Sequence, residues 1–170
     1  MAANFEPYEQ LGSYPLDVEV REQLYREQLE CTVAWSNREA WPIAVMHWFV
    51  WNNDRFWVTV MRQRKRVAAL RERPESCVVV SSAGTRLGAA RTVTAKTLAT
   101  VHEGGEVGRW FFPALAAKAW GHDADEQANF RRMLESTDRV IIELSPVQYI
   151  TYDAMKMQQP IQAGRRAAGI

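Results

Sequence analysis

"HWFVWNNDRFWVTVMRQRKRVAALRERP", residues 47–74, carries the strongest fold signal in the chain. It begins inside the run "PIAVMHWFVW" (42–51) and passes through "RFWVTV" (55–60), both rich in the β-branched and aromatic residues that favour strands. The polar "NND" (52–54) between them tolerates left-handed backbone angles, so the runs are expected to form an antiparallel hairpin. "RKRVAALRER" (64–73) then uses good helix formers and spaces Val67 and Leu70 three apart. It halts at Pro74, which lacks an amide hydrogen and disfavours helix before it. Four cations, Arg62, Arg64, Lys65 and Arg66, stand between strand and helix.

Upstream, "LDVEVREQLYREQLE" (16–30) reads as an amphipathic helix with Asp17 as N-cap, and "CTVAW" (31–35) as a strand. Downstream, "SCVVVSS" (76–82) and "AARTVTAKTLATVH" (89–102) flank the turn "AGTRLG" and form a second hairpin. The latter strand alternates Val93, Ala95, Ala99 and Val101 against Thr92, Thr94, Lys96 and Thr100. Helices follow at about 106–120, where Pro113 is expected to disturb the first, and at 124–136 behind Asp123, with a stripe of Phe130, Met133 and Leu134. The last strand, "RVIIELSPVQYITYD" (139–153), bends near Pro146. Six strands, mostly in antiparallel neighbours, with helices inserted and no repeat or linker, fit a closed or partly closed β-barrel in a mainly β, α+β fold. One domain over 1–170 is expected: helix 16–30, barrel 31–153 and tail 154–170.

The 21 basic and 20 acidic residues nearly cancel, so no general field draws the chain to nucleic acid or an anionic membrane, and any anion site is local. Cys31 and Cys77 each lie in an apolar run, which favours reduced buried thiols and a reducing compartment. The start "MAANFEPYEQLGSYPLD" has neither a basic region nor an apolar core, and no run approaches the roughly 18 apolar residues of a membrane span. A soluble cytoplasmic protein is expected. Seven tryptophans, with Trp41, Trp48, Trp51 and Trp57 close together, point to a subunit interface or a flat ligand, unless they simply fill a core.

The chemistry concentrates where the hairpin hands over to the helix. Amides of a first helical turn lack internal partners, and the dipole adds partial positive charge, so a strand ending at Val60 before a helix starting near Arg64 makes a natural phosphate site. Arg64, Lys65 and Arg66 disfavour that helix start unless an anion is bound, although a charge run can equally be a solvated loop. His47, His102 and His122 are isolated and neither cysteine belongs to a CxxC, so no metal site is expected. His47 lies in a mostly apolar strand, where a hydrogen-bonded core histidine is the common case. Nucleophile-elbow, phosphate-loop and dinucleotide glycine patterns are missing, and catalytic residues stay unassigned. A barrel, a local phosphate site and abundant aromatic surface suit a phosphorylated planar cofactor.

On these residues, "CTVAW…WPIAVMHWFVWNNDRFWVTVMRQRKRVAALRERPESCVVV" (31–80) resembles the pyridoxamine 5'-phosphate oxidase-like flavin and deazaflavin split-barrel family. "RTVTAKTLATVH" and "RVIIELSPVQYITYD" are similar to its later barrel strands. The resemblance implies that Lys65 and Arg66, before Leu70 and Pro74, bind the cofactor phosphate, with Arg64 where a smaller hydroxyl residue is frequent. It further implies that Thr59 and Val60 touch the phosphate and ribityl chain, that Met46, His47 and Trp48 run beside the ring, and that Thr92 supplies a polar contact. The family's frequent Gly-x-Pro turn reads Ala40-Trp41-Pro42 here, and Thr97 replaces a frequent strand glycine. "AGRRAAGI" (163–170) only faintly echoes the substrate-phosphate arginine and histidine pattern, so vitamin B6 synthesis is not assigned.

The expectation is therefore a six-stranded antiparallel split β-barrel, homodimeric with cofactor sites at the subunit interface, that holds FMN or the deazaflavin coenzyme F420. It would transfer a hydride between that ring and an organic small molecule. The alternative is a non-catalytic flavin or haem binding, storage or sensing protein on the same fold. Arg62 and Arg91 are the extra cations available to a longer deazaflavin tail.

Overall fold

The computed structural model describes residues 14–135 and 137–158. The elements run α1 (Val18–Glu27), β1 (Glu30–Ser36), β2 (Pro42–Asn52), β3 (Arg55–Met61) and α2 (Lys65–Glu72). They continue with β4 (Glu75–Ser81), β5 (Arg91–His102), α3 (Gly105–Trp120), α4 (Ala124–Glu135) and β6 (Arg139–Asp153). All six strands pair antiparallel and close a barrel in the order β1-β2-β3-β6-β5-β4. The six-stranded antiparallel barrel with packed helices is the one expected from the sequence.

The β2–β3 turn forms as its residues require: Asn53 and Asp54 both take positive φ, 51° and 56°, angles that let a two-residue hairpin follow the twist of its strands. Inward side chains, among them Val33, Phe49, Phe56, Val58, Val78, Val80, Val93, Ala95, Val140, Ile142 and Leu144, fill the barrel. Leu24 and Tyr25 from α1 and Val67 and Leu70 from α2 join them. A second cluster packs α3 and α4, through Phe111, Phe112, Leu115 and Leu134, onto Val50, Trp57 and Ile141.

Three local expectations change. Pro113 does not interrupt α3, which is continuous from Gly105 to Trp120. The buried side chains of Phe111, Phe112, Leu115 and Ala116 hold that helix against the barrel and offset the lost amide donor. Asp17 precedes α1 but makes no cap, because its Oδ1 accepts from Lys156 Nζ at 2.8 Å. Residues 154–158 of the tail continue as a helical segment after β6, while "AGRRAAGI" lies outside the described residues. Asp123 does cap α4, its Oδ1 accepting from Glu126 N at 3.0 Å, and the ladder shifts register at Lys96/Thr97 opposite Pro146. Among the described residues, no helix is long and apolar enough to cross a membrane.

Pairing within the barrel also leaves an opening. β2 meets β3 only through Phe49–Asn52 against Arg55–Val58. Before Phe49, β2 is paired to β1, and past Val58, β3 is paired to β6, so the two strands part and α2 enters at the gap.

Candidate functional site

α2 starts with three consecutive cations and without help: Arg64 occupies the N-cap with no side-chain cap, and the first turn holds no acidic residue. Cations there cost about 0.3–1 kcal/mol each, whereas burying Val67 and Leu70 gains about 1.5–3 kcal/mol each, so packing decides and the helix forms. The amides of Lys65 and Arg66 lie ahead of any intrahelical acceptor and remain available to a ligand.

A cleft of about 520 Å³ opens at this start, lined by Trp35, Ile43, Val45, Met61 and Gln63 together with Arg64, Lys65 and Arg66. One wall is apolar strand and the other is cationic helix. Arg64 and Lys65 are exposed, and neither forms an ion pair among the described residues. Arg66 turns inward: its Nη1 lies 2.7 Å from His47 Nε2 and its guanidinium carbon 5.5 Å from the Trp35 ring centroid. Burial first, then the neighbouring Arg64 charge, lowers the Arg66 pKa. Burial, then the charge of Arg66, pushes the His47 imidazole down to about 4. Because arginine only donates, Nε2 of neutral His47 is the acceptor and its proton resides on Nδ1.

The structure brings Arg64, Lys65, Arg66 and His47 together and separates the other residues expected at the site. Met46 and Trp48 project from the opposite face of β2 to His47, as alternation requires. Met46 Sδ accepts from Thr32 Oγ1 at 2.9 Å, and the Trp48 ring packs on Phe130 at 5.5 Å. Thr59 donates its hydroxyl to the Val140 carbonyl at 2.9 Å, which leaves its oxygen only as an acceptor, and Val60 is 5% exposed inside the barrel and can offer a ligand only backbone. Thr92 lies beside Tyr152 and Ser81, whereas the β5 residue level with Thr59, across Ile141, is His102. Ten residues of strand, roughly 30 Å, separate Thr92 from that level, and Thr92 is not among the residues that line the cleft described above.

Arg62 is not a free member of the basic group. It pairs with Glu103 and places Nε 2.7 Å from Asp138 Oδ1, while Arg71 also grips Glu103. Arg91 is likewise engaged by buried Asp153 at 3.1 Å and by the Leu87 carbonyl. Neither cation suggested for a longer tail is at liberty to serve one. The cleft's apolar wall of Trp35, Ile43, Val45 and Met61 was missed as a site in the sequence. For Trp35 the signal was there, in the alternation of Cys31, Val33 and Trp35 against Thr32 and Ala34. Among the described residues, no group of three or more potential ligands could hold a metal ion.

A closed six-stranded barrel that parts beside a cationic helix start defines a split-barrel protein. The chain has the split-barrel fold of pyridoxamine 5'-phosphate oxidase-like proteins. A conserved hypothetical protein from Mycobacterium tuberculosis superimposes with a TM-score of 0.73 at 15% identity, over 85% of this chain and 89% of that one. A pyridoxamine 5'-phosphate oxidase-like protein from Listeria innocua matches with a TM-score of 0.57 at 16% identity, over 78% of this chain and 95% of that one. An F420 reductase matches with a TM-score of 0.57 at 19% identity, over 75% and 94%. No protein-family model matches the sequence, and no curated protein matches it.

Proposed function

We propose that the protein is a homodimeric flavin- or deazaflavin-dependent oxidoreductase whose cofactor phosphate rests on Arg64, Lys65 and Arg66. The observation that carries this reading is an uncapped helix start, with two cations unpaired among the described residues and a third turned inward, facing an apolar wall across a single cleft. That donor set suits a phosphate, and the wall suits the planar body attached to it. Its likeness in fold to an F420 reductase and to a pyridoxamine 5'-phosphate oxidase-like protein supports the same class of ligand.

When bound, FMN or the deazaflavin coenzyme would supply the ring that accepts or gives a hydride to an organic substrate. The chain's own residues bind and orient. Lys65 and Arg66 compensate the phosphate charge, and His47 fixes the Arg66 guanidinium. Trp35, Ile43 and Val45 shield the cleft wall from water. His47 is neutral at pH 7 and its Nε2 lone pair is engaged, so it positions Arg66 and relays no proton.

The second copy is placed on the outer barrel face. Met46, Thr32, Val79, Thr94 and Ile150 are successive cross-strand neighbours there, and Met46 and Ile150 are 55% and 48% exposed. Ala34, Ala44 and Cys77 make the adjoining row. A row of small and apolar side chains crossing four strand boundaries fits a self-complementary interface.

Absorbance of the purified protein loaded with FMN or F420 tests the reading. Spectra that bleach with a reductant and recover with an organic acceptor over many cycles are expected. A cofactor that stays bound without cycling would support the binding or sensing alternative, and binding of neither cofactor would remove the proposal.

A further inference from the structure

Arg139 opens β6 on the side of β3 away from the gap. The β3–β6 ladder sets Ile141 opposite Thr59 and Arg139 opposite Met61, a residue that lines the cleft. Val60 and Val140 point into the barrel core, so alternation sends Met61 and Arg139 to the outer face. The α2 cations approach from the inner side, because Arg66 lies on His47, whose cross-strand partner Cys31 belongs to the core. A phosphate on α2 is compensated there, and the outer arginine is left for a second anionic group.

The surroundings of Arg139 supply no such group. It is half-buried, which lowers its pKa, yet it forms no ion pair among the described residues. Neighbouring carboxylates are already engaged: Asp138 by Arg62 at 2.7 Å, Glu103 by Arg62 and Arg71, and Glu143 by Arg55 and His102 at 2.6 and 2.8 Å. A guanidinium drawn partly out of water without a counter-charge is unfavourable, and a bound anion removes that penalty. Its direction is fixed as well. Nε donates to Thr137 Oγ1 at 2.7 Å, and that hydroxyl donates to the Leu134 carbonyl at 3.1 Å in the last turn of α4. The Nη1–Nη2 edge has no partner among the described residues, and a guanidinium edge grips a carboxylate through two parallel hydrogen bonds.

We propose that Arg139 is a carboxylate-binding residue on the outer face of β3 and β6, and that the organic substrate is an acid whose carboxylate it holds. The role of that acid as substrate rests on the proposed oxidoreductase; the carboxylate site rests on the geometry of Arg139 alone.

Calorimetric titration of benzoate and of uncharged benzamide into the FMN-loaded protein, in wild type, Arg139→Gln and Arg139→Lys, tests the proposal. Benzoate should bind wild type about tenfold tighter than benzamide, lose that margin in Arg139→Gln and recover part of it in Arg139→Lys. FMN affinity, sedimenting mass and thermal melting should stay unchanged throughout. Equal wild-type affinities for benzoate and benzamide would overturn the proposal. So would an Arg139→Gln variant that loses FMN affinity together with benzoate, which assigns the arginine to the cofactor phosphate, or one that releases monomers, which assigns it to a carboxylate of a second copy. If FMN does not bind, the flavin reading falls, and the same titrations on the free protein decide the carboxylate site.

Discussion

Arg66 gains its role from contacts distant in sequence. The guanidinium is held between His47, nineteen residues earlier, and Trp35, so it is aimed into the cleft before any ligand arrives. His47→Leu removes the acceptor and should weaken FMN binding about tenfold, whereas His47→Gln, which keeps an acceptor, should stay within about threefold of wild type. The same residue sets a pH dependence. Its folded pKa of about 4 lies below the ordinary 6.5, so the unfolded chain takes up the proton first as pH falls. The His47 contribution to stability is complete above about pH 6.5, declines as pH drops, and is lost below about pH 4. Denaturation midpoints from pH 7 to pH 4 should fall more steeply in wild type than in His47→Gln, and identical slopes would refute the assignment. At this scale Arg64, Lys65 and Arg66 are legible because they are adjacent in the chain. The His47–Arg66 contact is not, because it depends on how α2 packs on β1 and β5, which brings Arg66 to β2.

Apart from the Asp17 cap, elements specified by neighbouring residues are read correctly from sequence, and those specified by packing are not. The "NND" turn, the alternation along β5 and the stop of α2 before Pro74 all follow from local chemistry. Even two departures from the family pattern become intelligible. Ala40, where the family often has glycine, takes a φ of 61°, at a cost of roughly 1–2 kcal/mol for a residue with a Cβ. Thr97, in place of a strand glycine, is buried at the register shift and satisfied by Ser76 Oγ at 2.8 Å. The continuity of α3 through Pro113 is illegible, because the core that restrains it is assembled from β2, β3 and β6. So is the parting of β2 from β3, which follows from where their ladder ends rather than from any motif.

For the whole molecule, the tryptophans divide among the roles their number raises. Trp57 is buried under α3, Trp35 walls the cleft, and Trp41 is 66% exposed on the β1–β2 turn. The proposed interface lies on the outer face through Val79 and Ile150. Sedimentation should give twice the 19.5 kDa chain mass, and Val79→Lys with Ile150→Lys should give the monomer. A wild-type protein that sediments as a monomer at micromolar concentration would reject that interface. The central claim is narrower than the assembly: the cationic start of α2 recognises a flavin through its phosphate. Its most direct test compares FMN with riboflavin, in the wild type and in Lys65→Ala/Arg66→Ala, by equilibrium titration. The account predicts that wild type prefers FMN by about 100-fold, the worth of one or two charge-assisted hydrogen bonds, and that the double variant loses most of this preference while melting like wild type. Equal wild-type affinity for FMN and riboflavin would contradict it.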